Sequence, residues 1–415
     1  SRGGERCRFR QSSTYTAMLG RATTSLLIAT LAAALAHASA FAPSGFGASL
    51  LRSPTAAGRR GGRGGEVQMA ATASPFAALG DAITTMLVSS PLYPTMVAKA
   101  RATMKKTATD VGIEWDEQVA TLQEMGGWEQ ALAEVTGEEA WTAKGLPEYY
   151  RKPFHAYSEG NLCWPAALEQ MVASEAVGVR NFPGLAAAGE DHLRSLYEEA
   201  IPRLGGYVEE GGRVLDFACG TGTSARRLAS RFPQAREVVG YDLSPHFVAV
   251  GRRLPGTGLL PKAEEEAASR TRLEWGDVTS TGESDGSASL VSLSLVIHEM
   301  PRDAVELTFR EAFRVLKPGH AMAVMEMDPE APGFARLRSN PLLFNLIRST
   351  EPHLGDYFQL ASAGGVEALA REVGFSVVRR EACTGRHFSM VCIKGGVADN
   401  RFLPGGSYGQ PDTHM

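Results

Sequence analysis

Residues Leu215 to Ala225 read LDFACGTGTSA, and this stretch fits two patterns at once. From Gly220 it is Gly-x-Gly-x-x-Ala, a turn that can hold the pyrophosphate of a dinucleotide. From Asp216 it is Asp-x-x-Cys-Gly-Thr-Gly, with a carboxylate ending an apolar run of strand length. The run leads through the glycines into the helical stretch TSARRLASRF, so free backbone N–H groups meet a ligand at a helix N-terminus. Glycine there lets the main chain approach without a side chain in the way. Both patterns share this much. The carboxylate separates them, because an acid inside the turn repels a pyrophosphate.

Asp216 lies four residues before Gly220, where it suits a cation that carries no phosphate. S-adenosylmethionine is such a ligand, with an ammonium and a sulfonium. Asp242 ends the next apolar run, EVVGYDLS, twenty residues after Gly222, where a carboxylate accepts both hydroxyls of a ribose. That spacing serves either cofactor. Gly276-Asp277 closes a third run, TRLEWGDV, where a carboxylate accepts from an exocyclic adenine amine.

Outward from these turns, strand and helix patterns alternate from Gly211 onward. Helices HFVAVGRRL and RDAVELTFREAFRVL interleave with strands ASLVSLSLVIHEM and AMAVMEM, and Lys317-Pro318-Gly319 forms a helix stop. Helical stretches around 342–350 and 365–373 precede a terminal hairpin, FSVVRREAC with RHFSMVCIK. This grammar predicts an α/β fold with a parallel sheet covered on both faces. Residues 69–205 read as a helical extension, interrupted by the aromatic, aperiodic loop LPEYYRKPFHAYSEGNLCW. The domain proper is expected over 206–395, with a Gly/Pro-rich mobile tail at 396–415.

Five segments now stand in order, VLDFACGTG, GYDLS, GDV, SLSLVIHEMP and AFRVLKPGHAMAVMEMDP. Together they resemble a class I S-adenosylmethionine-dependent methyltransferase, and RVLKPG is similar to its quinone C-methyltransferase branch. The resemblance implies a Rossmann-like seven-stranded sheet and S-adenosylmethionine as cofactor. It implies that Asp216, Ala218, Gly220 and Gly222 cradle the methionine end, Asp242 and Leu243 the ribose, and Asp277 and Val278 the adenine. Ala218 stands where the motif has its first glycine, His320 replaces a second glycine, and Met327-Asp328 replaces Phe-Ser.

Acceptors are expected beyond the carboxyl ends of the strands. His298 and Glu299 follow the fourth strand there, where one can deprotonate an acceptor. Tyr150, His155, Tyr157, Asn161 and Trp164 gather aromatic faces and polar groups in one loop, suited to a sulfonium and to excluding water. Glu351, His353 and Tyr357 are candidates for the other wall. Two acceptors stand out: a prenylquinone-like ring, methylated on carbon, or a thioether acid such as 4-methylthio-2-hydroxybutyrate, methylated on sulfur towards dimethylsulfoniopropionate. A nicotinamide oxidoreductase is the remote third reading.

Residues 7–65 contain arginine but no Asp or Glu. An apolar run, Leu26–Ala36, follows Met18 and Arg21 and ends before Ala38-Ser39-Ala40, the grammar of a cleaved signal. At about ten apolar residues it is too short to span a bilayer. The junction ASAFAP resembles bipartite algal plastid leaders, so 1–68 is expected to be removed and the protein delivered to a plastid, with secretion as the alternative. Residues 1–65 hold nine Arg, no Lys and one Glu, which leaves 33 basic and 45 acidic residues, a net of −12. Such a body disfavours nucleic acid and anionic membranes as partners and suits a small molecule. No Cys-x-x-Cys pair is present, so no metal site is expected. Oligomeric state has no signal in the sequence.

Overall fold

The computed structural model describes Ser90 and residues 93–396, apart from 139–140, 156, 336–338, 341–343 and 345–346. The leader over 1–68, the tail and part of the expected helix at 342–350 lie outside the described residues. The chain divides between Ala100 and Arg101 into two compact units. This differs from the expected boundary at 205/206, because the helices after Arg101 belong to the same unit as the sheet.

That sheet has seven strands: β1 (Arg213–Phe217), β2 (Glu237–Asp242), β3 (Thr271–Trp275), β4 (Ala288–Ser294), β5 (Leu316–Met327), β6 (Phe375–Ala382) and β7 (His387–Lys394). Their order is β3-β2-β1-β4-β5-β7-β6. The first five run parallel, and β7 enters antiparallel between β5 and β6. The fold is thus the α/β, Rossmann-like arrangement expected, and the terminal pair forms the hairpin. Strands β1 and β4 are buried along nearly their whole length because both faces are covered.

The two faces pack separate cores. Leu215, Phe217, Val239, Val291, Leu293 and Phe388 meet α9 (Arg302–Val315), α10 (Leu354–Ala361) and α11 (Gly365–Val373) on one side. Val214, Val238, Leu290 and Val391 meet α5 (Gly189–Arg203) and α6 (Thr223–Arg231) on the other. Leu193, Tyr197 and Ile201 of α5 are buried in that second core. Burial of each such side chain contributes about 1.5–3 kcal/mol, which binds this helix to the sheet rather than to a separate domain.

The remaining helices are α1 (Tyr93–Thr109), α2 (Trp115–Met125), α3 (Trp128–Thr136), α4 (Trp164–Asn181), α7 (Pro245–Arg253) and α8 (Lys262–Ala267). Helix α8 has no counterpart in the sequence reading. Leu168 and Met171 of α4 pack on Phe247 and Val250 of α7, which brings the helical segment over the carboxyl end of β2. Among the described residues, no helix is long and apolar enough to cross a membrane. No group of three or more His, Cys, Asp or Glu there could hold a metal ion.

Helices α4 and α5 approach at backbone distance. A Cβ on Gly178 would lie 2.3 Å from the Glu190 backbone nitrogen and Cα. Gly178→Ala must therefore part the helices rather than rotate a side chain, and overpacking of this kind costs about 1–3 kcal/mol. Urea unfolding should show a lower midpoint with an unchanged slope.

Candidate active site

At the end of β1 the chain turns through three left-handed residues: Ala218 at φ 59°, Gly220 at 58° and Gly222 at 87°. Gly220 and Gly222 suit this because neither has a Cβ, and one on Gly222 would lie 2.7 Å from Leu273 Cδ1. Ala218 carries the strain that its missing glycine would relieve, of order 1 kcal/mol. Gly222 caps α6 and accepts from the Arg226 N–H at 3.0 Å. The turn is held from outside by Gln170 of α4, whose Oε1 accepts from the Thr221 hydroxyl at 2.5 Å. Gln170 was not legible in the sequence.

Two buried carboxylates flank this turn. Asp216 is 1% exposed. Its Oδ2 accepts from the Ser224 hydroxyl, and its Oδ1 has no hydrogen-bond partner. Burial raises the carboxyl to about 6, against the pull of Ser224. An unsatisfied buried oxygen is costly, and a cationic ligand's N–H would satisfy it. Asp242 is likewise raised to about 6 by burial, opposed by the N–H groups it accepts. Gly220 N–H donates to its Oδ2 and Ser244 N–H to its Oδ1, both at 2.8 Å. The strand end and the glycine turn are thereby tied together, and one lone pair of Oδ2 stays open for a ribose hydroxyl. The Leu243 carbonyl accepts from Trp275 Nε1 at 3.1 Å, Asp277 Oδ1 accepts from the Thr279 N–H and hydroxyl, and Val278 is buried. These residues fit a cationic adenosyl ligand: an orphaned carboxylate oxygen at one end and diol and amine acceptors at the other.

Tyr150 links this half to the loop expected to cover it. It sits in a single turn of 3-10 helix, Glu148–Arg151, and its hydroxyl lies 3.4 Å from Asp242 Oδ1. Burial and the Asp242 charge push its phenol well above 10, so it is a donor at every working pH. Asn161 hydrogen-bonds the Tyr150 hydroxyl, and its backbone carbonyl accepts from Ser244 at 2.6 Å.

The residues expected to meet the acceptor lie beyond β4. His298 is buried, and its Nδ1 is 2.8 Å from Oε1 of Glu326, which is fully buried on β5. The His298 backbone N–H donates to Oε2 of the same carboxylate at 3.3 Å. His298 Nε2 points the other way, 3.9 Å from Glu299 Oε1, and His155 Nε2 is 4.0 Å from that same oxygen. Burial opposes a charge on His298, but the Glu326 charge and hydrogen bond outweigh it and raise the ring to about 10. Burial raises Glu299 to about 8, with Glu351 and Asp242 adding to it and His298 opposing. Burial also raises Glu351. The Glu326 contact at Nδ1 favours the charged form of the ring, which disposes His298 as a hydrogen-bond donor.

Other expected contacts sit elsewhere. The Tyr157 hydroxyl donates to Glu169 Oε2 at 2.5 Å, and Arg101 covers its ring and pairs with the same Glu169. Trp164 donates to Glu129 at 2.7 Å and packs on Trp128 and His246. Tyr157 thus ties the aromatic loop to α4, and Trp164 ties α4 to α3. The Tyr357 hydroxyl donates to the Met327 carbonyl, with its ring 6.2 Å from that of His298. It supports the site from the core. His353 packs edge-on to Tyr149. Glu326 and Ser224 were missed. An acid inside the apolar run AMAVMEM was the one available signal for Glu326.

With this geometry established, the chain was compared with known proteins. Residues 214–319 match the model of a methyltransferase domain. The chain is 30% identical over 196 residues to the ubiquinone/menaquinone biosynthesis C-methyltransferase UbiE of a Geobacter species, covering 45% of this chain and 79% of that protein. It is 26% identical over 189 residues to the demethylmenaquinone methyltransferase of Listeria innocua, covering 41% and 73%. Among solved structures it resembles Haemonchus contortus phosphoethanolamine N-methyltransferase 2 in complex with S-adenosyl-L-methionine, with a TM-score of 0.39, 16% identity and 61% of each chain covered. The chain belongs to the class I S-adenosylmethionine-dependent methyltransferases. It is an enzyme that draws its methyl group from S-adenosylmethionine, and the nicotinamide reading of LDFACGTGTSA falls away.

Since Asp216 and Asp242 both titrate near 6, a cation between them favours their charged forms and binding releases protons. Affinity for S-adenosylmethionine should fall as pH drops through 6, by about tenfold between pH 7 and pH 5 for each group coupled. Calorimetry at the two pH values measures this, and Asp216→Asn should flatten the dependence. Ala218→Gly should raise the melting temperature by a few degrees, of order 1 kcal/mol, as left-handed strain is lost.

Proposed function

We propose that this enzyme methylates carbon on a small ring that carries an ionisable hydroxyl, a quinol-like acceptor. The observation that carries the reading is the pairing of the charged His298 with Glu299, raised to about 8, at the end of β4. A ring carbon becomes nucleophilic when its hydroxyl loses a proton. Ionised Glu299 takes that proton, and the His298 imidazolium stabilises the resulting oxyanion, a donor preorganised in a site shielded from water. The ring carbon then displaces the sulfonium methyl in line, the S–C electron pair stays on sulfur, and the ring C–H proton passes to water as aromaticity returns, after which the ring oxyanion recovers the proton held by Glu299. The protein's main task is alignment of the two reactants. The names of the bacterial relatives support a quinone-type acceptor.

A thioether acid such as 4-methylthio-2-hydroxybutyrate has no proton to lose on attack, so it would leave Glu299 and His298 without a part. Labelled S-adenosylmethionine offered with a short-chain naphthoquinol and, separately, with the thioether acid distinguishes the two. His298→Ala should cost about 10²–10³ in kcat on the quinol while S-adenosylhomocysteine affinity holds within about twofold. Unchanged turnover of the thioether acid by that variant would overturn the ring reading.

The pH profile on the quinol should be bell-shaped. It rises as Glu299 ionises near 8 and falls as His298 loses its proton near 10. In stability the signs follow the same groups. His298, raised above its unfolded value of about 6.5, contributes fully below that pH and is lost as pH rises through about 10.

Plastid delivery is part of the same proposal and rests on the composition of residues 1–68 and the ASAFAP junction. A fluorescent protein fused after residue 68 and expressed in an alga with secondary plastids would light the plastid. Secretion of the fusion would refute it.

A further inference from the structure

We propose that Glu326 is the positioning residue of the site: it takes the Nδ1–H of His298 and so aims Nε2–H at the acceptor oxygen. This rests on the acceptor reading above for its catalytic meaning, but the positioning itself is a matter of geometry. Glu326 is the penultimate residue of β5 and fully buried. Its carboxylate accepts from three directions: His298 Nδ1 at 2.8 Å, the His298 backbone N–H at 3.3 Å and the Met327 N–H at 2.7 Å. The first two come from the turn after β4, so one side chain fixes both the ring and the backbone that carries it. A buried carboxylate is tolerated only when paired and hydrogen-bonded, and these three donors meet that requirement. A ring held at Nδ1 by an acid has its other nitrogen turned the opposite way, here toward Glu299, the same logic by which an orienting carboxylate sets a working histidine.

The surroundings leave Glu326 as the partner that decides. Glu299 faces Nε2 at 3.9 Å, Glu351 acts on the ring from the segment before α10, and His155 faces it from the aromatic loop. His387 of β7 and the Tyr357 ring of α10 close the remaining sides. Of these, Glu326 makes the hydrogen bond to Nδ1. The Tyr357 hydroxyl is spent on the Met327 carbonyl, and His387 Nδ1 on Thr384 at 2.9 Å.

The test is Glu326→Gln, which keeps an acceptor oxygen for Nδ1–H but removes the charge. Long-range nitrogen–proton NMR on imidazole-labelled protein, with His298→Ala to assign the signal, reads the ring directly. In the wild type, His298 should remain doubly protonated above pH 8, with Nδ1–H hydrogen-bonded. In the variant its titration should move down by two pH units or more. The alkaline limb of the naphthoquinol rate profile should move with it, and kcat should drop about tenfold or more at pH 8.5 while KM for S-adenosylmethionine holds. A wild-type ring that titrates near 6.5, or a variant whose titration does not move, overturns the proposal. If the variant fails to fold, the wild-type titration alone still decides. Failure of the acceptor reading looks different: His298→Ala would leave turnover intact while the NMR titration still reports the Glu326 contact.

Discussion

Two carboxylates buried at adjacent strand ends set the terms for this site. Asp216 and Asp242 stand where the protein interior disfavours charge, and burial raises both. The fold tolerates them by surrounding them with donors: Ser224 for the first, the Gly220 and Ser244 N–H groups for the second. One oxygen, Asp216 Oδ1, is left with no donor. A buried acceptor without a donor is a cost that a cationic ligand removes, so the cofactor completes a set of interactions that the chain leaves open.

The same device recurs at the acceptor end with the opposite outcome. Glu326 is as deeply buried, but all its neighbours come from the chain itself, and its charge is balanced by His298. Glu299 has only the more distant His298 Nε2 at 3.9 Å and His155 Nε2 at 4.0 Å, and burial pushes it up towards neutrality. These acids differ because their donors differ: Asp216 keeps an oxygen without a partner, Glu326 is saturated by His298 and Met327, and Glu299 is left with distant imidazoles. Tyr157 and Trp164, expected at the substrate, hydrogen-bond Glu169 and Glu129.

Much of the fold was legible because it follows from local pattern. Apolar runs ending in Asp216 and Asp242, and the strand-length stretch before Asp277, marked parallel strands, and glycines after the first marked the turn. The C-terminal hairpin could be read from its two alternating segments. The helix of Gly189–Arg203 looks like any amphipathic helix in the sequence until Leu193, Tyr197 and Ile201 are found buried with the sheet. Helix Lys262–Ala267 is a six-residue turn too short for periodicity to register.

By itself the sequence determined the class of fold, the cofactor and the carboxylates at the strand ends, because these depend on residues near one another in the chain. Only the tertiary structure decided how the acceptor end is charged. His298 and Glu326 are 28 residues apart on neighbouring strand ends, and the ring's state depends on that contact. Gln170 reaches the glycine turn from 51 residues away. Burial and long-range pairing fix protonation, and neither is written in any local pattern of residues.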